Sequence, residues 1–169
     1  MQETELINGL RQKDESAFRL LVETYRNKVY NTVLNILQDS ADADDSAQEV
    51  FIQVYESISS FKQQSSLSTW IYRIAVRKAL DKIRKRKTRL QLRKLLPWWM
   101  PEENKSEENF YHPGIALENK QKAAFTLVKV QGMNYEEACE IMQQNIKAIE
   151  SLISRAKQNL QKQLQNIAT

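Results

Sequence analysis

Apolar residues recur at intervals of three and four through most of this 169-residue chain, and this spacing is the strongest constraint on its fold. Such spacing collects apolar side chains on one face of an α-helix, whereas a half-buried strand needs strict alternation. The chain has only three Gly and three Pro, too few for the frequent turns of an all-β fold. The sequence therefore predicts an all-α fold.

Two long helices are predicted near the start of the chain. The first spans about 14–38, with Asp14 or Ser16 as its N-cap, and follows a short apolar segment around Leu6. The second spans about 42–60 and opens on aspartates, which suit the positive end of a helix dipole. Its apolar stripe consists of Ala47, Val50, Phe51, Val54, Tyr55 and Ile58.

A third long helix follows a polar loop at 61–67, with Ser68 or Thr69 as its N-cap. One side of this helix is apolar and includes Trp70 and Ile71. Its other side is basic: residues 68–98 contain eleven Lys or Arg and a single acidic residue. Such an excess of positive charge creates an electrostatic field suited to binding a polyanion such as nucleic acid. The alternative is an ordinary helix face whose charges are solvated and screened by salt.

The helical spacing is lost between about 90 and 115, where prolines and acidic residues accumulate. It returns in three shorter helices at about 117–130, 134–142 and 146–164, with a turn at Gln131 and Gly132. The sequence therefore predicts two small helical domains joined by an acidic flexible linker. The predicted boundaries are 1–92 for the first domain, 93–115 for the linker and 116–169 for the second domain.

The composition argues against several classes of function. The single cysteine, Cys139, excludes an internal disulfide, and the single histidine, His112, leaves no Cys/His zinc site. No Gly-rich phosphate loop and no catalytic triad is present, so we expect neither catalysis nor a cofactor nor a metal. No apolar run approaches the roughly 20 residues of a membrane span, and we expect a cytoplasmic protein.

The second domain has the spacing of a helix-turn-helix motif. Cys139 provides the small residue where two helices cross, and Ile149 provides the aliphatic residue about ten positions later. An antiparallel helical hairpin would give the same pattern. If the motif reads duplex DNA, its outward residues are Asn145, Lys147, Glu150, Ser151, Ser154, Arg155 and Lys157.

Taken together, these segments resemble a bacterial RNA polymerase sigma factor of the extracytoplasmic-function (ECF) group. The resemblance is carried by DADDSAQEVFIQVYESISSF at 42–61, LSTWIYRIAVRKALDKIRKRK at 67–87, and LENKQKAAFTLVKVQGMNYEEACEIM with KAIESLISRAKQNL at 117–160. It implies a transcription initiation factor with two helical domains. Its partners would be core RNA polymerase (the β′ clamp and the β flap), duplex and single-stranded promoter DNA, and an anti-sigma protein. Binding to the polymerase would associate it with the nucleoid.

The resemblance assigns a polymerase contact to the helix at 42–60. A D-x-x-Q-E-x-F pattern, which docks on the β′ clamp in the family, is matched by Asp45, Gln48, Glu49 and Phe51. Helical spacing adds Gln53 to the polar side, so Asp45, Gln48, Glu49 and Gln53 form the predicted polymerase-binding set. Phe51 is expected in the core, and a solvated acidic helix start is the alternative.

The resemblance assigns the minus-ten element to the loop and the basic helix that follow. The loop takes a flipped base in the family, and cations beside it hold the separated strand. Tyr72 lies off the apolar stripe and is the preferred base-stacking residue, whereas Trp70 is expected to anchor the core. The predicted set is Lys62, Gln63, Gln64, Ser65, Ser66, Tyr72, Arg73, Arg77, Lys78, Lys82, Arg84 and Lys85.

The second domain resembles the reader of the minus-thirty-five element, with two departures. Glu150 and Leu152 stand where family members often carry cations, so phosphate attraction should be weaker, although Glu150 can accept from a cytosine amino group. An alternative role for Leu152 is to complete the packing of the second domain.

The linker has an acidic run at Glu102–Glu108, which would suit the basic interior of the polymerase; an ordinary acidic spacer is the alternative. Trp98 and Trp99 are expected to pack on one of the two domains or on a partner.

Two rival functions fit parts of this pattern. A helix-turn-helix repressor would bind duplex DNA alone, normally as a dimer. A helical adaptor would use the basic helix to bind RNA or acidic proteins. The surface from Asp45 to Glu49 and the adjoining loop favour the sigma factor, because a repressor does not need them.

Overall fold

The computed structural model describes residues 3–95 and 118–167, and within these ranges every regular element is helical. The elements of the first range are α1 (Glu3–Arg11), α2 (Glu15–Leu37), α3 (Ser40–Ser57), a 3₁₀ turn (Ile58–Ser60) and α4 (Leu67–Leu95). Those of the second range are α5 (Asn119–Phe125), a π-helical turn (Thr126–Val130), α6 (Tyr135–Met142) and α7 (Ile146–Ile167). The predicted all-α fold is confirmed. Most of the predicted linker, with Trp98, Trp99, Glu102–Glu108 and His112, lies outside the described residues.

The helices of the first domain begin at short polar side chains. Asp14 caps α2 as predicted, since its carboxylate accepts from the N–H groups of Ser16 and Ala17 at 2.7 and 3.3 Å. Asp39 caps α3 by accepting from Asp42 N–H at 2.9 Å. The prediction of Ser68 or Thr69 as the cap of α4 is wrong. The hydroxyl of Ser66 accepts from Thr69 N–H at 3.1 Å and starts the helix earlier.

Three long helices, α2, α3 and α4, form the first domain around an apolar core. Leu21, Val29 and Ile36 of α2 are fully buried, as are Val50 and Val54 of α3 and Ile71 of α4. Phe51 is buried as predicted. Trp70 is half-buried and stacks on Phe61 with ring centroids 4.9 Å apart, which fixes the start of α4 to the loop before it.

The second domain is formed by α5, α6 and α7 with the π-helical turn. A capping box starts α6, because Asn134 accepts from Glu137 N–H at 2.8 Å and Glu137 accepts from Asn134 N–H at 2.9 Å. Ile149 is fully buried, as the helix-turn-helix spacing predicts. Ala138 is fully buried while Cys139 is only partly buried, so Ala138 is the more enclosed small residue on α6. Leu152 packs partly against the core.

The two domains pack against each other. Helix α6 lies against α4, and α5 lies against α2 and α4. Arg73 of α4 donates through Nε to the backbone carbonyl of Glu140 in α6 at 3.1 Å. Buried apolar residues of both domains belong to one continuous cluster. The sequence analysis predicted two domains but not this contact between them.

Gln143 ends α6 in the left-handed conformation, with φ 53° and ψ 45°. Because glycine adopts this conformation without the steric cost of a Cβ, Gln143→Gly is expected to raise the free energy of unfolding by about 1 kcal/mol. Gln144→Gly is a matched control, since Gln144 has no positive φ and should show no gain. Equilibrium urea unfolding followed by circular dichroism measures both. Equal effects of the two substitutions would contradict the prediction.

Candidate functional site

The outer face of α3 combines polar and apolar side chains. Asp45, Gln48 and Glu49 are exposed, as the predicted polymerase contact requires, and Gln53 is half-buried. Ile52 follows them one helical turn later and leaves 56% of its surface exposed. This isoleucine gives the polar face an apolar area that a protein partner could bury.

Tyr55 extends this face, which corrects its predicted place on the buried stripe of α3. Its side chain is 37% exposed because it lies at the edge of the α2–α3 contact. Phe18 packs on its ring edge-to-face with centroids 5.1 Å apart, and Lys13 Nζ lies 4.0 Å from the ring centroid. Lys13 also donates to the carbonyl oxygen of Tyr55. These contacts hold one side of Tyr55 in place and leave the other available.

Sequence reasoning missed Ile52 and the exposure of Tyr55. The available signal was spacing: Ile52 is four residues after Gln48 and three after Glu49, so it shares their face. We refer to the exposed residues Asp45, Gln48, Glu49, Ile52 and Tyr55 as the α3 face.

The loop between the 3₁₀ turn and α4 is held at both ends and exposed between them. Phe61 and Leu67 are buried, Arg11 donates to Phe61 O at 2.7 Å, and Leu67 N–H donates to Glu3 Oε1 at 3.0 Å. Lys62, Gln63 and Gln64 are exposed between these anchors, and Gln63 has a φ of 55°. This geometry presents amide and ammonium groups on a fixed frame.

The two serines of this loop, which belong to the predicted DNA-binding set, already make hydrogen bonds within the protein. Ser66 Oγ accepts from Thr69 N–H and donates to Thr69 Oγ1 at 2.9 Å, so it serves as the cap of α4. Ser65 is half-buried, and its Oγ donates to the carbonyl of Ser66 at 3.4 Å. The exposed part of the loop available to a base is therefore centred on Gln63 and Gln64.

Several predicted DNA-binding cations of α4 are paired with acidic residues. Lys78 lies 3.3 Å from Glu49, and Lys82 lies 3.3 Å from Asp42, so both bridge to α3. Arg84 pairs with Asp81 within α4 at 2.7 Å. The pairs to α3 join the acidic and the basic helix side by side.

Arg86, although outside the predicted set, is the most enclosed member of this group. It contacts Asp42 and lies 3.7 Å from Asp39, and all three side chains are largely shielded from solvent. Arg77 and Lys85 differ from the paired cations. Both are exposed, and neither has an acidic partner within 4.0 Å among residues 3–95 and 118–167. Among the predicted cations of α4, they are therefore the ones most available to phosphate.

Tyr72 contradicts the expectation of an accessible stacking residue, because only 4% of its surface is exposed. Burial raises the pKa of its phenol, and Tyr25 of α2 and Glu137 of α6 raise that pKa further by electrostatic interaction. The physical reason for the error is that α2 and α6 both pack against α4, which the sequence of α4 alone does not reveal.

The outer face of α7 carries the predicted duplex-reading residues. Lys147, Glu150, Ser151, Ser154, Arg155 and Lys157 are all exposed. Asn145 is also exposed, but its Oδ1 accepts from Ala148 N–H at 2.9 Å and caps the helix. Ile149 and Ile153 point inward and are buried, so α7 is clearly two-sided.

Residues 3–95 and 118–167 contain neither a metal-binding cluster nor a membrane-spanning helix. No cluster of three or more His, Cys, Asp or Glu residues there could hold a metal ion. None of the helices in those ranges is long and apolar enough to cross a bilayer.

Comparison with known proteins matches both domains. The sigma-70 region 2 family matches residues 21–89, and the sigma-70 region 4 family matches residues 116–160. The ECF RNA polymerase sigma-E factor of Haemophilus influenzae is 30% identical, over 95% of this chain and 94% of that protein. The RNA polymerase sigma-H factor of Pseudomonas aeruginosa is 27% identical, over 97% of this chain and 94% of that protein.

A solved structure shares the fold. The sigma factor RpoE of Bartonella quintana, in complex with the anti-sigma factor NepR, superposes with a TM-score of 0.67 at 21% identity. The alignment covers 88% of this chain and 96% of that one.

These matches place the chain among the sigma-70 factors, which act in transcription initiation and as a class are not enzymes. Within that class, the chain belongs to the ECF group. A stand-alone helix-turn-helix repressor is not favoured, because the region 2 match covers the domain that such a repressor lacks.

Proposed function

We propose that this protein binds core RNA polymerase through the α3 face, directs the polymerase to a two-part promoter and helps to open the DNA there. The observation that carries the proposal is the adjacency of two different surfaces in the first domain. The α3 face is acidic and apolar, whereas α4 and the loop before it are basic and amide-rich. A protein that only binds duplex DNA needs just the second of these surfaces.

The α3 face has the composition of a polymerase contact. Asp45 provides negative charge for a basic partner, and Glu49 adds to it although it is bridged to Lys78. Ile52 and Tyr55 provide apolar surface that can be buried on docking. Interfaces of this kind take most of their binding energy from a few apolar or aromatic anchors inside a polar rim. We assign the anchors to Ile52 and Tyr55 and the rim to Asp45, Gln48, Glu49 and Gln53.

Opening of the promoter is assigned to the loop and α4. Separation of DNA strands costs stacking energy, on the order of 1.4 kcal/mol per base-pair step, so the open form must be captured. Gln63 and Gln64 offer hydrogen bonds to the edge of a flipped base, and Arg77 and Lys85 offer charge to phosphates of the separated strand. Lys62 can add a further phosphate contact.

Recognition of the minus-thirty-five element is assigned to the outer face of α7. Lys147, Arg155 and Lys157 are suited to phosphates, while Ser151, Ser154 and Glu150 are suited to base edges in the major groove. Because Asn145 caps the helix through its oxygen, only its amide N–H groups are available to DNA.

Run-off transcription tests this function. Core polymerase with the purified protein and a promoter library should give initiation at specific sites that depends on the protein, with no catalytic activity of the protein itself. Tight duplex binding without polymerase, and no initiation with it, would support a repressor instead. Binding to RNA or acidic proteins, with no initiation, would support an adaptor.

A location and one further partner follow from this function. While it is bound to polymerase, the protein should occupy the nucleoid. An anti-sigma protein is also proposed, on the precedent of the Bartonella sigma factor solved with NepR.

A further inference from the structure

Two side chains of α1 hold opposite ends of the loop between the 3₁₀ turn and α4. Arg11 donates through Nη2 to the carbonyl oxygen of Phe61, the first residue of the loop, at 2.7 Å. Glu3 Oε1 accepts from the N–H of Leu67, the first residue of α4, at 3.0 Å. Residues 62–64 are exposed between these two contacts. A helix remote in sequence therefore holds both ends of the segment assigned to a flipped base.

We propose that Glu3 and Arg11 are positioning residues for base selection, because they fix the loop that presents Gln63 and Gln64 to a flipped base. The proposal rests on the proposed function, since it takes this loop as the part that reads the base. It adds that α1, to which that function gives no DNA contact, determines how strictly the loop discriminates between bases.

Helix α1 has a fixed position of its own. Leu6, Ile7 and Leu10 are buried, and the helix packs against α2 and the 3₁₀ turn. A Cβ at Gly9 would lie 2.7 Å from the Cβ of Ala17, so α1 and α2 approach more closely than any larger residue at position 9 allows. Helix α1 is therefore a firm support for the side chains that hold the loop.

Both contacts serve groups at buried residues. Leu67 is fully buried, and as the first residue of α4 its N–H has no acceptor within the helix. Because the first turn of α4 has no acidic residue, Glu3 also supplies the negative charge that suits the positive end of the helix dipole. Phe61 is 4% exposed and stacks on Trp70 of α4, so the bond from Arg11 ties this aromatic pair to α1.

A fixed loop improves discrimination more than it improves attraction. Hydrogen bonds to a base edge need donor and acceptor within about 2.7–3.2 Å, so a small displacement of Gln63 or Gln64 removes them. A loop that is ordered in advance also loses little conformational freedom when DNA binds. Contacts to phosphate from Arg77 and Lys85 come from α4 and do not depend on the loop. Loosening of the loop should therefore lower base selectivity specifically.

Amide hydrogen exchange on the full chain tests the contact from Glu3. Glu3→Met and Glu3→Gln form a matched pair, because both remove the charge at similar side-chain length and only glutamine keeps an oxygen that accepts a hydrogen bond. The N–H of Leu67, followed by NMR, should exchange at least about tenfold faster in Glu3→Met than in the parent chain. In Glu3→Gln its exchange should be closer to the parent rate.

Run-off transcription with core polymerase tests base selection. Initiation at a preferred promoter from the library is compared with initiation at its single-base variants. In Glu3→Met the preference at one base of the minus-ten element should fall at least about fivefold, and Glu3→Gln should restore most of it. Arg11→Met should act like Glu3→Met, with Arg26→Met at an exposed position of α2 as the charge-matched control. Preferences in the minus-thirty-five element and affinity for polymerase should not change.

The ratio between promoters separates positioning from a general loss of folding, which would lower initiation at every promoter by the same factor. A parent-like ratio in either Glu3→Met or Arg11→Met overturns the proposal, as does parent-like exchange of Leu67 in Glu3→Met. In those cases specific initiation by the parent chain still upholds the proposed function. A parent chain that gives no specific initiation overturns the proposed function, and base selection by the loop fails with it.

Discussion

Ile52→Asp is expected to weaken binding to core RNA polymerase at least about 30-fold, which corresponds to a loss of about 2 kcal/mol at an interface anchor. The isoleucine leaves 56% of its surface exposed in the middle of the α3 face, so polymerase docking would bury it. Aspartate would remove that apolar area and add a charge that must lose its water. Fluorescence anisotropy of labelled protein titrated with core polymerase, without DNA, measures the affinity.

Two further variants separate anchor from rim. Gln48→Ala combined with Glu49→Ala should weaken polymerase binding less than Ile52→Asp does, because exposed polar contacts each contribute little. Ser59→Asp adds the same charge at an exposed position beyond α3, where it should change little. Thermal unfolding of all three variants should stay close to that of the parent chain. Polymerase affinity left intact by both Ile52→Asp and the double substitution would show that α3 is not the docking helix.

Local patterns determine what the sequence could predict about the fold. The helices from α2 to α7 follow from apolar spacing, because burial of one face is decided by residues three and four apart. The cap at Asp14 also followed, since it depends on the two N–H groups directly after it. Ser66 was missed because Ser68 and Thr69 offer equal hydroxyls nearby, and only the observed bonds decide between them.

The functional surfaces were less predictable because they depend on contacts between helices. Tyr72 lies off the stripe of its own helix but is buried, because α2 and α6 pack against α4 and both are distant from it in sequence. The pairing of Lys78 and Lys82 with α3 likewise requires the relative position of two helices. Ile52 could have been found, because its spacing from Gln48 is visible in the sequence.

The difference between the paired and the unpaired cations of α4 leads to a second large expected effect, on binding to single-stranded promoter DNA. Arg77→Gln combined with Lys85→Gln should reduce the slope of log affinity against log salt by about 1.4, since each cation on a single strand contributes about 0.7. The same relation gives a loss of about 25-fold at ~0.1 M salt. Both side chains are exposed and have no acidic partner in the described ranges, so their full charge is available to phosphate.

Lys78→Gln combined with Lys82→Gln is the matched comparison, because it removes the same number of charges from the same helix. These lysines already lie 3.3 Å from Glu49 and Asp42, so DNA would gain less from them and the slope should fall by less than half as much. Anisotropy titrations of the polymerase-bound protein at several salt concentrations measure both slopes. Equal slopes for the two double variants would mean that the acidic residues of α3 release their cations when DNA binds. The distinction between paired and unpaired cations would then have no consequence for promoter opening.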